Sequence, residues 1–181
     1  HAEAVFTAHI EKTTAQAFYA DMKKRVAAEG RRPDQVLILP GLCPTIASTE
    51  AEAKRLLLEL SNYADVEIAV KYLGTWFGGH DFSHLPLDRP LTLADFPDLS
   101  NIETSKSRTE MVINLIQRED ITLRELLARF AHIGGHYLFA GTPEQVADLI
   151  EDWFLDGAAD GFNLMPPILP AMLDIFVDEV L

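Results

Sequence analysis

Between Gly141 and Pro167 the chain spells out one complete helix–turn–strand unit. Thr142 is placed as an N-cap, Pro143 stands at the first helical position, where its missing N–H is harmless, and Gln145 completes a capping box. Val146, Leu149, Ile150, Trp153 and Phe154 recur at helical spacing on one face. Gly157 suits the left-handed position that ends a helix. Phe162 to Met165 then form a brief apolar run, stopped by Pro166 and Pro167. A helix that delivers a buried strand is the repeating element of α/β architecture, in which ligand chemistry gathers at the C-terminal ends of the strands.

The same pattern recurs upstream. Ala4 to Thr7 is short, apolar and β-leaning. Thr13 with Gln16 reads as a capping box, and Phe18, Met22 and Val26 mark one face of a helix ending at Gly30. Val36 to Leu39 is a continuous apolar run suited to a buried parallel strand. Thr49 with Glu52 caps a helix faced by Ala53, Leu56, Leu57 and Leu60, and a short helix is expected from about Val66 to Leu73. Residues 74–106 then hold Gly78-Gly79, three prolines and two histidines without periodicity, as expected of a functional lid or a disordered segment. Helices are predicted from Ser107 with Glu110 and from Thr122 with Glu125. Gly134-Gly135 breaks the second, Tyr137 to Phe139 leads into the C-terminal unit, and a last helix spans about Ala171 to Leu181.

Three strands, each followed by a helix, cannot close a (β/α)8 barrel, which needs eight strands and about 250 residues. The 181 residues are therefore expected to form a single partial-barrel domain, with an insertion over 74–135 and a final helix–strand–helix unit over 136–181. A free-standing three-stranded α/β domain is the alternative, and it would have to cover strand edges that a barrel pairs.

Composition narrows the function classes. A 48% hydrophobic and 24% charged content is that of a globular protein, and no apolar run reaches membrane-span length. A net charge of −13 argues against nucleic acid or an anionic membrane as partner. The single cysteine, Cys43, precludes an internal disulfide framework, fits a reducing, cytoplasmic compartment, and has no base beside it in sequence, as expected of a buried inert thiol. No dinucleotide, Walker or nucleophile-elbow motif occurs. The absent initiator Met and the start inside a strand-like segment lead to the expectation that an upstream portion precedes His1.

Several residues are candidates for chemistry. His80 and His84 lie four apart with Asp81 beside one of them, but the flanking glycines and prolines disfavour the helix a zinc site of that spacing uses, and a third ligand is lacking. His132 and His136 are separated by Gly134-Gly135. His136 either packs at the entry to the Tyr137 run or serves as the catalytic proton shuttle that histidine provides near neutral pH. Ser107 reads as an N-cap, and Arg108 is either solvated or faces an anionic substrate group at that helix start. Asn163 is the polar residue in an apolar strand, and Phe6 and Thr7 end another. Each is a candidate neighbour of a ligand bound at strand ends.

The Gly141–Asp148 helix start, Trp153-Phe154, and Gly157-Ala158-Ala159-Asp160-Gly161-Phe162-Asn163-Leu164-Met165-Pro166-Pro167 also resemble the C-terminal signature of the nitrilotriacetate and dibenzothiophene-sulfone monooxygenase family, within the bacterial-luciferase-like superfamily. His1 to Thr7 is similar to that family's sixth barrel strand and Ile38 to Gly41 to its seventh. Gly78-Gly79-His80-Asp81 and Ser107-Arg108 resemble pieces of its long insertion, so the resemblance covers nearly the whole chain. It implies the last three βα units of the barrel, with the insertion after the seventh strand. It further implies an FMN-dependent, two-component monooxygenase that receives reduced FMN from a separate flavin reductase and oxygenates a small organic substrate with O2. The family's main FMN contacts lie upstream of His1. This chain would therefore be inactive alone and would associate with another copy or with the N-terminal half of the same enzyme. Phe6, Thr7 and Asn163 would neighbour the cofactor, and His80, Asp81, Ser107 and Arg108 the substrate. The competing class is a non-catalytic α/β interaction module that associates through exposed sheet edges.

Overall fold

The computed structural model describes residues 2–63, 65–102, 106–130 and 135–181. These divide into two compact units, His1–Glu59 with Gly135–Leu181, and Leu60–Gly134.

The first unit is built on a wholly parallel sheet. Strand β1 (Ala4–Thr7) pairs with the first half of β2 (Leu37–Ile46) in the register Val5 to Ile38 and Phe6 to Leu39. β3 (Tyr137–Gly141) pairs with the second half of β2, Leu42 to Tyr137 through Ile46 to Gly141, and the two-residue β4 (Asn163–Leu164) pairs at Gly41 and Leu42. The three segments expected as strands are therefore parallel neighbours through β2. The Tyr137 run, expected only as a lead-in, is a fourth strand.

β2 is also longer than its apolar run, and Pro40, Gly41 and Pro44 lie inside it. The reason is which edge each residue serves. Leu37 N donates to Glu3 O, and Ala47 N donates to Gly141 O. Ile38 O and Leu42 O accept instead from Asp160 N and Met165 N. Odd residues thus bond to β1 and then β3 along one edge, and even residues bond to the β4 segment along the other. Both prolines are even-numbered. Their missing N–H groups fall where the ladder is only two residues long, which is where a strand tolerates proline.

Helix α1 (Lys12–Ala28) follows β1 and lays Val26, Phe18 and Met22 against Val5, Val36 and Ile38. Its start corrects the sequence expectation. Glu11, in extended conformation, is the N-cap and makes no side-chain cap bond, so Thr13 lies inside the first turn; Thr14 Oγ1 donates to Glu11 O at 2.8 Å. Helix α2 (Glu50–Asn62) is capped as expected by Thr49, whose hydroxyl accepts from Glu52 N.

In the second unit, α3 (Val66–Trp76) is capped by Asp65. α4 (Lys106–Arg118) and α5 (Leu123–Phe130) follow, and Thr122 and Glu125 form the expected capping box at α5. Ser107 is the second residue of α4 rather than its cap, and its side chain, like His132 and Gly134, lies outside the described part of the chain. The irregular stretch between α3 and α4 carries apolar anchors of its own. Phe82 is fully buried, and its ring and those of Phe77 and Phe96 pack edge-on or tilted with centroids 5.0 to 5.4 Å apart. Leu91 N donates to Ile121 O, and Arg124 N to Leu87 O. The sequence reading missed these anchors because they come from aromatic residues at no regular period.

Back in the first unit, α6 (Pro143–Leu155) has the expected Thr142–Gln145 capping box and ends at Gly157, φ 66°. Val146 and Trp153 are buried. Phe154 departs from the predicted face and is 57% exposed, because it sits one position round the helix from Trp153. α7 (Ala171–Ile175), continued by a π-helical turn over Phe176–Val180, packs Phe176 onto Ile46 and Val146.

Asp160 ties this unit together. Its carboxylate accepts from Tyr19 Oη at 2.9 Å, Lys23 Nζ at 2.7 Å and Ile38 N at 2.7 Å. One side chain thereby joins α1, the start of β2 and the approach to β4. It acts at the N-terminal end of β2, the end that serves stability rather than chemistry in barrel folds.

Candidate functional site

Side chains alternate across a sheet, and residues paired in a parallel register share a face. Val5 and Ile38 face α1, so Phe6 and Leu39 face the opposite way. Gly41 and its register partner Asn163 share that second face with them. Leu164 confirms the alternation, since it packs with Ile46 and Val146 on the helix side. Phe6 and Asn163 are thus brought to one face. Thr7 is not: it shares the face of Val5, and its Oγ1 is buried without a hydrogen-bond partner.

His136, just before β3, joins the group. Its ring lies parallel to that of Phe6, with centroids 4.8 Å apart and planes inclined by 7°. His136 is 7% exposed, whereas Phe6 is 54% exposed. Gly41 makes this possible, because a Cβ there would stand 2.4 Å from His136 Nδ1. The result is a flat aromatic pair, buried on the histidine side and open at Phe6, with an exposed amide on the strand that pairs at Gly41. Such a surface can stack a planar ring and hydrogen-bond its edge. Cys43 is fully buried, and burial pushes its thiol up to about 11, so it is inert as expected.

His9 is a residue the sequence reading passed over. It lies two positions beyond β1, its ring tilts against Phe18 at 5.4 Å, and burial lowers its pKa. Its Nε2 is buried without a hydrogen-bond partner. Its place just past a strand end was the available signal.

The second unit holds His80 and Asp81. Both line a cavity of about 610 Å³, together with Val70, Lys71, Phe82 and Leu123. The bond from Ser83 N, at 2.8 Å, is the main cause holding the Asp81 carboxyl below its usual range. His80 packs edge-on against Phe82 at 4.6 Å and lies 6.4 Å from His84, ring to ring. Among the described residues no three potential metal ligands gather anywhere. Arg108 is not part of the cavity lining; its guanidinium lies over the Trp76 ring, 5.5 Å from the centroid. Lys71 was not singled out from sequence, although its position one turn before Gly74 and near the Gly-Gly loop could have marked it. No helix among the described residues is long and apolar enough to cross a membrane.

No protein-family profile matches the chain. Curated relatives do. The chain is 41% identical over 179 residues to N-acetyl-S-(2-succino)cysteine monooxygenase of Bacillus subtilis (strain 168), covering 99% of this chain and 40% of that protein. It is 39% identical over 179 residues to nitrilotriacetate monooxygenase component A of Aminobacter aminovorans, covering 99% of this chain and 39% of the relative. Among solved structures it is similar to a riboflavin lyase with modified FMN and riboflavin, at 26% identity and a TM-score of 0.73, over 99% of this chain and 38% of the other. The chain therefore spans about two fifths of the length of the relatives it matches. Over 99% of its length it is also similar, at 35% identity over 182 residues, to dibenzothiophene-sulfone monooxygenase of Rhodococcus erythropolis, of which it covers 39%.

Proposed function

We propose that this chain is part of a flavin-dependent monooxygenase that uses reduced FMN and O2 to oxygenate a small organic substrate, and that it supplies the last three βα units of a (β/α)8 barrel. The observation that carries the reading is the match of 99% of the chain, at 41% identity, to N-acetyl-S-(2-succino)cysteine monooxygenase of Bacillus subtilis (strain 168). The face described above fits such a cofactor. Phe6, backed by His136, offers a flat surface to a planar ring system, and Asn163 offers a hydrogen-bonding amide on the strand paired at Gly41. When bound, reduced flavin supplies the electrons that activate O2.

The chain's own part is to bind, orient and exclude water. Phe6 and Asn163 hold the ring, and His136 holds Phe6 flat and serves as the proton carrier of the site. His80 and Asp81 contact substrate from the cavity of the insertion, and Ser107 and Arg108, at the start of α4, meet a further anionic group of the substrate that reaches beyond the cavity lining. Thr7, on the other face of β1, positions the strand rather than touching the cofactor. A separate flavin reductase delivers the cofactor. The exposed ring of Phe6 and the exposed Leu37 on the same sheet face are covered by the N-terminal part of the same enzyme or by another copy.

FMN titration with light scattering tests this reading. The chain alone is expected to self-associate and bind FMN weakly, and a longer protein carrying the preceding barrel strands is expected to bind it tightly. A stable monomer that binds FMN with micromolar or better affinity overturns the half-barrel reading. A longer protein without flavin affinity favours the non-catalytic interaction module instead.

A further inference from the structure

The cavity in the second unit has a definite chemical make-up. Val66, Val70, Phe82, Leu85 and Leu123 give it an apolar wall, and its charged members are of both signs: Lys71 and Glu67 from α3, Asp81 from the loop that follows. Its volume of about 610 Å³ suits a ligand the size of an amino acid with an extended apolar arm.

We infer that this cavity takes a small zwitterion, one ammonium and one carboxylate on a short apolar body, with Asp81 receiving the ammonium and Lys71 the carboxylate. The inference rests on the reading of His80 and Asp81 as substrate contacts and names the substrate class they serve. Three observations support it. Asp81 is preorganised, because Ser83 N donates to its carboxylate at 2.8 Å and the Ser83 side chain adds a second hydrogen bond. Lys71 makes no ion pair among the described residues, although Glu67 lies one turn before it on α3, so its charge is uncommitted. The cavity also has apolar lining that is withdrawn from water: Phe82 is fully buried and Leu123 is 1% exposed, so an apolar body set against them loses contact with water.

The two charges also come from separately fixed elements. The α3 helix ends in a turn in which Gly79 N donates to Gly74 O at 2.9 Å. Gly74 must lack a side chain, since a Cβ there would stand 2.4 Å from His80 O. This close approach holds the His80-Asp81 segment against the helix that carries Lys71.

Three probes isolate the contributions: phenylalanine, phenethylamine, which lacks its carboxylate, and 3-phenylpropanoate, which lacks its amine. Calorimetric titration of the whole chain, with saturation-transfer NMR to detect weak binding, is expected to rank phenylalanine above both others by roughly tenfold or more, as expected for one charged hydrogen bond. Lys71→Met is expected to weaken phenylalanine and 3-phenylpropanoate and leave phenethylamine unchanged. Asp81→Asn is expected to weaken phenylalanine and phenethylamine and leave 3-phenylpropanoate unchanged. The unaffected probe in each case shows that the variant is folded. Equal binding of all three probes, no binding of any, or a uniform loss in Lys71→Met overturns the inference. Oxygenation by a longer protein is a separate readout. If it fails while the charge selectivity stands, the flavoenzyme reading falls and this site remains.

Discussion

The ammonium of Lys23 and the carboxylate of Asp160 meet at 2.7 Å, with side chains only 12% and 15% exposed. The pair is fastened on both sides, since Lys23 also donates to Pro33 O and Val36 O and Asp160 also accepts from Tyr19 and Ile38. Removing one member strands the other and leaves the Ile38 N–H short of its acceptor. Asp160→Ala is expected to destabilise the chain by about 3 kcal/mol. Denaturant unfolding checks this, and Lys23→Met with Asp160→Ala should lose less than the sum of the single changes.

Alkaline pH should act on the same cluster. Burial first, and then the bond to Asp160, raises the Tyr19 phenol to about 12 from 10. A folded-state value above the unfolded one means stability that is complete below pH 10 and lost as pH rises from 10 through 12. Ultraviolet titration of phenolate should show late-ionising tyrosines, Tyr137 among them because burial raises its phenol as well, and the component near 12 should disappear in Tyr19→Phe.

His9 works in the opposite direction. Burial lowers its pKa below 6.5, so the unfolded chain binds a proton that the folded chain resists. Its contribution is therefore complete above pH 6.5 and is lost as pH falls below that value. Melting temperatures between pH 7 and pH 5 should fall less steeply in His9→Gln than in the parent chain.

Gly41 is where the aromatic pair is most easily broken. Gly41→Ala places a methyl within 2.4 Å of His136 Nδ1 and is expected to cost about 1–3 kcal/mol through overpacking. The double change Gly41→Ala with His136→Ala should recover much of this stability and leave FMN affinity in a longer protein low. Recovery of stability without recovery of affinity separates His136 as a support for Phe6 from His136 as core filling.

The insertion can be probed at its anchor. Phe82→Ala empties a fully buried ring site and is expected to cost about 3–5 kcal/mol in the unit that contains it. Hydrogen exchange should show the loss over residues 66–96. An exchange pattern identical to the parent would mean that the stretch is not held by that ring.

Much of this was legible in the sequence. The capping boxes at Thr49, Thr122 and Thr142 were readable because a cap is a local arrangement over four residues. The three expected parallel segments were readable as apolar runs. What escaped depended on distant partners. β2 continues through two prolines because of the edge each faces, and β3 is a strand because β2 extends to meet it. Ser107 was misplaced because a helix start is fixed only to within a residue or two by its sequence. In the site, Phe6 and Asn163 could be placed on one face only once the register was known, and the same register removed Thr7. Gly41 carried no signal of its own, since the need for its bare Cα comes from a histidine far along the chain.

The bond from Ile38 N to the Asp160 carboxylate spans 122 residues, and this fixes an order of events during synthesis. β2 is made early and can pair at once only with β1. One half of its length and all of its other edge wait until β3 and the Asp160 segment emerge from the ribosome. Until then a strand of ten residues, all but Leu37 and Leu39 buried in the finished fold, stands with open backbone groups. Long-range parallel pairing of this kind folds slowly, and the open edge of β2 is exposed to wrong partners for as long as its own partners are unmade.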